Sequence, residues 1–349
     1  MTKLDFTSVW NASVQTTDRP MVAREYAWAS ELGKPLADRY LAMKGIAPTN
    51  PPNTRSRRKF FAGNVWEFVA GLVLYQLGVI IPQQQEIWVE DAPIRVKGKL
   101  DYLIGGIPNY SFARDSIRAF PFQKEMIDRF MKTIDVFEQK IGNQELYPMV
   151  HEIKSCSQYV LEMLDEGGNV IGHDLQLTHY LRGLNMDEGH IVYISKDDAL
   201  MHERTILNPD TALLSKYDTD LGILKGYLES NTLPPTEPLI TFEGGKFRKQ
   251  FGIEYSSYLT YLFPQFKEPM EYSNEVKGKI SSWNRVLARI KDVEEGKRNK
   301  PTKAEPLGAL VKLTDKNKIV IAEMEQQGLN AFDLAKKAQI EDDDEAEEM

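Results

Sequence analysis

The middle of the chain limits the fold most tightly, because strand-like runs there are separated by one stretch far too long for a turn. EIWVE (86–90) and PIRVKGKLDYLIG (93–105) are rich in β-branched and aromatic residues. Asp91-Ala92-Pro93 between them suits a turn, so the two runs read as a hairpin. A third strand is expected at PMVHEIK (148–154), then a helix over HDLQLTHYLRGLN (173–185) and a strand at HIVYISK (190–196). An apolar helix from about Phe60 to Leu77, stopped by Gly78, precedes them all. Helix, three strands, helix, strand is the order of a small mixed sheet covered by helices, which places the chain in the α/β class.

Residues 105–147 are more than a hairpin needs. Met126, Ile127, Phe130, Met131, Ile134 and Phe137 form a helical apolar stripe there, so a helical insertion is expected. Two strands whose ends share a site suggest a mobile arch over that site that would admit a polymeric substrate only by its ends, with Arg114, Arg118, Lys124, Arg129 and Lys132 as candidate contacts for an anionic partner. The plain alternative is a helical decoration packed elsewhere. Residues 1–50 read as a helical N-terminal segment, 51–265 as the core and 266–340 as a helical C-terminal region. In the last of these Val276, Ile280, Trp283, Leu287 and Ile290 share a stripe, Ser273 is a candidate N-cap and Gly296 a stop. EDDDEAEEM (341–349) carries seven acids and reads as a disordered tail.

The net charge of −8 owes most of its size to that tail, without which the balance is −1. A nearly neutral body still binds nucleic acid if its bases are clustered. No apolar run reaches bilayer length, the first residues lack a signal-peptide core, and a cytoplasmic protein is expected. The single cysteine, Cys156, excludes an intramolecular disulfide and a four-thiolate cluster. No Gly-rich phosphate loop with a following Lys-Ser/Thr is present, so ATPase chemistry is not encoded.

Glu152 and Lys154, two apart on the third strand, project from one side of it, and the preceding strand-like run ends near Asp101. If those strands are neighbours, two carboxylates and an ammonium meet at a strand edge. That donor set suits hard, oxygen-liking cations and phosphate chemistry. Taken alone, Glu152 and Lys154 read more readily as a surface ion pair.

GKLDYLI, HEIKS and QLTHY, in that order, resemble the G-x-x-D, E-x-K and Q-x-x-x-Y pattern of PD-(D/E)XK nucleases, in the RecB-type and CRISPR-adaptation branch. The upstream helix carries Gly63-Asn-Val-Trp-Glu67, similar to that branch's glycine followed four residues later by an acidic or histidine ligand. The resemblance spans about residues 20–265. It implies a restriction-endonuclease-like core with helical additions at both ends, and a magnesium- or manganese-dependent deoxyribonuclease. Glu67, Asp101, Glu152 and the Ile153 carbonyl would be metal ligands, Lys154 would be the catalytic lysine, and Gln176 and Tyr180 would contact DNA or brace the site. An exonuclease of replication, recombination or phage DNA metabolism, in a bacterium or phage-infected host, is the first expectation. A defence endonuclease, an RNA nuclease and a non-catalytic DNA-binding scaffold are the alternatives. Many members of the branch hold an iron–sulfur cluster with late cysteines, whereas FGIEYSSYLTYLF (251–263) has none, so no cluster is expected and packing must serve instead.

Arg55, Arg57, Arg58 and Lys59, beside Phe60 and Phe61, are candidates for binding single-stranded DNA or the end of a duplex, with a solvated linker as the alternative. Arg95, Lys97 and Lys99 extend a positive track or form the wet side of a hairpin. His173 and His179 read as packed or solvated residues rather than general bases. The C-terminal region is a candidate surface for a recombination or replication protein.

Overall fold

The computed structural model describes residue 12 and residues 21–81, 86–243, 245–297, 315–326 and 328–330. The acidic tail lies outside the described residues, as does nearly all of the first twenty. The chain forms two compact units, residues 1–47 with 51–234 and residues 48–50 with 235–349.

The first unit is mixed α/β, as expected. Its elements are β1 (Tyr26–Trp28), α1 (Leu36–Met43), α2 (Thr54–Gln76), β2 (Ile87–Val89), β3 (Arg95–Gly98) and β4 (Tyr102–Gly106). After these come α3 (Tyr110–Ala119), α4 (Lys124–Ile141), β5 (Leu146–Cys156), α5 (Gln158–Asp165) and α6 (Ile171–Leu184). β6 (Glu188–Ser195), β7 (Met201–Leu207) and α7 (Thr211–Glu229) complete it. A four-stranded sheet runs β4-β5-β6-β7, with β5 and β6 parallel and both outer pairs antiparallel. A second sheet runs β1-β3-β2.

Three expectations are revised here. PIRVKGKLDYLIG is two strands, not one: β3 pairs with β2 in the small sheet, β4 pairs with β5 in the large one, and Asp101 sits at the break. Gly98, the last residue of β3, leaves room for close packing just before the break, since a Cβ there would lie 2.5 Å from the Tyr180 ring and 2.9 Å from Ala29 Cβ. The N-terminal segment is not wholly helical, because Tyr26–Trp28 pairs in parallel with β3 and tertiary pairing outweighs local helical periodicity. The basic cluster is not a linker either. Asn53 caps α2 through Ser56 N–H at 2.9 Å, so Arg55, Arg57, Arg58 and Lys59 lie in its first turns.

The insertion is helical, but it is not an arch. Gly106 faces Leu146 across the β4–β5 pair while Tyr102 faces His151, so the chain leaves and re-enters at the end away from Asp101 and Glu152. At about 3.3 Å per residue, Leu146 and Glu152 are roughly 20 Å apart along the strand. Ile117 and Ile134 of the insertion are buried with Val73, Leu77, Val79 and Ile104, making it a buttress on the outer half of α2 and β4. A long connection opens where its strands end, and those ends are not where the carboxylates are.

Arg95 and Lys97 do not extend a positive track. Arg95 pairs with Glu90, Lys97 pairs with Glu86 at 2.8 Å, and the Lys97 ammonium lies 5.0–5.5 Å from the rings of Tyr26, Trp28 and Trp88. Cross-strand aromatic and ion pairs of this kind stabilise an outward sheet face.

The second unit holds a hairpin of β8 (Ile240–Glu243) and β9 (Lys246–Lys249), then α8 (Phe251–Glu254), α9 (Leu259–Leu262), α10 (Pro269–Glu294) and α11 (Asp315–Gln326). The expected stripe is its core: Val276, Trp283, Leu287 and Ile290 are buried with Ile253, Leu259 and Phe263 from the cysteine-free segment. Ser273 is not the N-cap, since α10 begins at Pro269 and the Ser273 hydroxyl donates to Glu254 at 3.0 Å. Gly296, with φ of 72°, follows the end of the helix. No described helix is long and apolar enough to cross a membrane.

Candidate active site

Asp101, at the start of β4, reaches across to β5, where its Oδ2 accepts the Ile153 N–H at 2.8 Å. That bond fixes Asp101 beside Glu152 and Lys154, the neighbours of Ile153. Glu152 is 1% exposed. Its Oε1 accepts from the Lys154 ammonium and from Gln176 Nε2 at 2.7 Å, while Oε2, also buried, has no hydrogen-bond partner. A buried carboxylate oxygen left unpaired is costly, and a cation is the natural partner for it.

Gln176 and Tyr180 share one face of α6. The Gln176 amide donates to Glu152 and to Tyr180 Oη at 3.0 Å, and the Tyr180 hydroxyl donates to the Lys99 carbonyl. Both side chains are buried. Gly98 leaves room for the Tyr180 ring, so the G-x-x-D and Q-x-x-x-Y segments interlock around Glu152. Helix α6 is held from its other side by Asp174, fully buried in a bidentate pair with Arg204 of β7.

Glu67 enters from α2. Gly63, Glu67 and Gly71 are spaced by four and face the sheet. A Cβ at Gly63 would lie 3.1 Å from Ser155 Oγ, and one at Gly71 only 2.1 Å from Tyr102 Oη. These two glycines let the helix approach β5 and β4, and the Tyr102 hydroxyl donates to the Glu67 carbonyl at 3.0 Å. Gly71→Ala is therefore expected to push α2 off Tyr102, lowering stability by about 1–3 kcal/mol. A thermal unfolding midpoint equal to that of the unaltered protein would contradict this packing.

The electrostatics tie the four groups together. Glu152 is pushed up to about 8, first by burial, with Lys154 opposing and Asp101 and Glu67 adding to the rise. Burial also raises Asp101, against Lys154 and the Ile153 N–H, and raises Glu67, with Asp101 adding to it. For Lys154 burial works against the charge, yet Glu152, Asp101 and Glu67 together hold its pKa above the ordinary lysine value. Among the described residues no three His, Cys, Asp or Glu side chains stand close enough to enclose a metal between them. What is offered is a pair of carboxylates with an acidic neighbour, an orphaned buried oxygen and a charged lysine. Magnesium, which takes one or two protein carboxylates and keeps its waters, fits that set.

Other groups lie near the site. His173 Nδ1 lies 3.1 Å from the hydroxyl of Tyr193, which faces Lys154 across the parallel pair, and burial, aided by Lys154, lowers the His173 pKa to about 3. It is a packed, neutral imidazole, as expected of it. His179 is likewise packed, between Tyr217 Oη and the Ile87 carbonyl. Cys156 is buried, and burial raises its thiol. Tyr102, Lys99 and Gly71 matter through contacts that no local pattern announces.

No family profile and no curated protein matches the chain. Among solved structures it is similar to SSO0001, at 14% identity and a TM-score of 0.33 over 62% of this chain and 85% of that one. It is also similar to an alkaline exonuclease from Laribacter hongkongensis, at 12% identity and 0.31 over 64% and 93%, and to that exonuclease in complex with dAMP, at 14% and 0.29 over 58% and 91%. Scores this low describe loosely similar chain paths and assign neither activity nor residues.

Proposed function

We propose that the chain is a divalent-cation-dependent deoxyribonuclease of PD-(D/E)XK type, hydrolysing DNA phosphodiester bonds. The observation that carries this is Glu152: buried, braced on one oxygen by Lys154 and Gln176, orphaned on the other, and beside an Asp101 locked to the Ile153 N–H. Asp101, Glu152 and the Ile153 carbonyl would hold Mg²⁺ or Mn²⁺, with Glu67 completing the acidic shell. A bound cation would supply an activated water and would neutralise charge on the phosphate. Lys154, kept charged by three carboxylates, orients the attacking water or steadies the oxyanion. Gln176 and Tyr180 serve as a buried brace rather than a DNA contact: they set the Glu152 rotamer and tie it to the backbone at Lys99.

Within this reading, exonuclease action on single strands or end-bearing duplexes remains first because the sequence motifs resemble the end-processing branch. The insertion no longer argues for end selection, which brings a defence endonuclease nearer. A test is the product pattern from end-labelled linear DNA, closed circular DNA and RNA with Mg²⁺, Mn²⁺ or EDTA. Metal-dependent release of short products from linear DNA is expected. Full activity in EDTA, or none on any DNA, would end the reading, and rapid cutting of circles would select the endonuclease.

A further inference from the structure

Lys196 immediately follows β6, and its N–H donates to the Cys156 carbonyl at 2.9 Å, which places it just past the end of β5 beyond Lys154. Helix α2 crosses β5 beside Ser155, at Gly63. One turn before Gly63, on the same helix face as Glu67, stands Lys59. The two lysines therefore meet at the same end of the sheet. Both are exposed, and no ion pair to a carboxylate is found for either among the described residues. The nearby Asp197 carboxylate is engaged by the Gln158 N–H at 3.2 Å. Partial desolvation, then repulsion from Lys59, lowers the Lys196 pKa against the pull of Cys156 and Asp197, so the two cations oppose each other.

The start of α2 makes the same point independently. Helices favour acids in their first turn, where the backbone dipole is positive. Here that turn has no acid and the start of the helix carries Arg55, Arg57, Arg58 and Lys59 instead. Like charges gathered against the dipole are relieved by a polyanion. Phe60, 61% exposed, lies next to Lys59 toward the Glu67 face and offers an apolar ring beside the cations.

We propose that Lys59 and Lys196 form a phosphate clamp holding the backbone of a nucleic-acid strand, with Phe60 receiving a base beside it. The clamp rests on the nuclease reading for its orientation toward the carboxylates. Lys59 and Glu67 are eight residues apart along α2, about 12 Å. That is roughly three to four nucleotides at 3.4 Å each. The clamp therefore grips the strand away from the cleaved bond and registers it on the site.

The test uses the full chain and a fluorescein-labelled single-stranded oligodeoxynucleotide, with anisotropy read in EDTA over a range of salt concentrations. Lys59→Gln, Lys196→Gln, their double variant and the corresponding arginine variants are compared. The double glutamine variant is expected to bind about tenfold more weakly at low salt, and the slope of log K against log salt should fall by about 0.7 per lysine removed. The arginine variants should retain both affinity and slope, which a merely structural role for the lysine stems would not predict. Wild-type affinity and slope in the double variant would overturn the clamp, as would a wild-type protein that binds no strand. Parallel cleavage in Mn²⁺ separates the two readings. Cleavage with lysine-independent binding leaves the nuclease and removes the clamp, whereas lysine-dependent binding without cleavage does the reverse.

Discussion

Asp101→Asn, Glu152→Gln and Lys154→Met should each lower metal-dependent DNA cleavage by about 100-fold or more, the size of effect seen when one preorganised charge-stabilising group is removed. The three variants should differ in what else they lose. Asp101→Asn and Glu152→Gln remove charge from the cation site, so Mn²⁺ binding measured directly should weaken with them. Lys154→Met leaves the two carboxylates in place, and Mn²⁺ binding should persist while turnover fails. Above about pH 8, where Glu152 is charged in the metal-free protein, it also strips that buried carboxylate of its ammonium partner, which is destabilising on the order of 3–5 kcal/mol. Added Mn²⁺ should recover part of that loss. Retention of wild-type cleavage by any of the three would refute the assignment of that residue. Ca²⁺ should occupy the site yet fail to support turnover, because its larger and looser shell positions water poorly.

The stability of the metal-free protein should fall as pH rises from about 4.5 to about 8, and Glu152→Gln should abolish much of that fall. In the unfolded chain the Glu152 carboxyl loses its proton near the ordinary glutamate value of 4.5, whereas in the folded protein burial holds the proton until about 8. Between those values the folded state binds more protons than the unfolded state, so raising pH favours unfolding. Each unit of separation is about 1.4 kcal/mol. Asp101 and Glu67, raised by the same burial, act in the same direction. Lys154 stays charged across this window and does not oppose the trend. A divalent cation takes the place of the proton, so Mg²⁺ or Mn²⁺ should raise the melting temperature more at pH 8 than at pH 6. Glu152→Gln, which keeps the shape without the charge, should make the metal-free protein more stable at pH 8 while destroying activity. Melting temperatures that run parallel with pH for the two proteins would sink this account of Glu152.

The pieces and their order are legible in the amino-acid sequence. Period-two and helical patterns located β5, β6, α6 and the main part of α2, because an amphipathic element records in its own residues which face it buries. Those placements carried Glu152 and Lys154 to one strand and Gln176 and Tyr180 to one helix face. β7 left a weaker trace, since Met201–Leu207 is an edge strand with most of its residues exposed and little apolar alternation. The register of strands and the approach of helices belonged to the tertiary structure alone. Nothing local divides PIRVKGKLDYLIG between two sheets; that follows from β3 finding its partners in β1 and β2 while β4 finds its own in β5. Nothing local joins Lys59 to Lys196, more than a hundred residues apart, or sends the insertion to the end of the β4–β5 pair away from the carboxylates. The sequence could not separate bracing from DNA contact for Gln176 and Tyr180, because spacing gives the face of a helix and not what that face meets. A side chain's chemistry is written in its own atoms, but its pKa, its burial and its partner are properties of atoms brought to it from elsewhere in the chain.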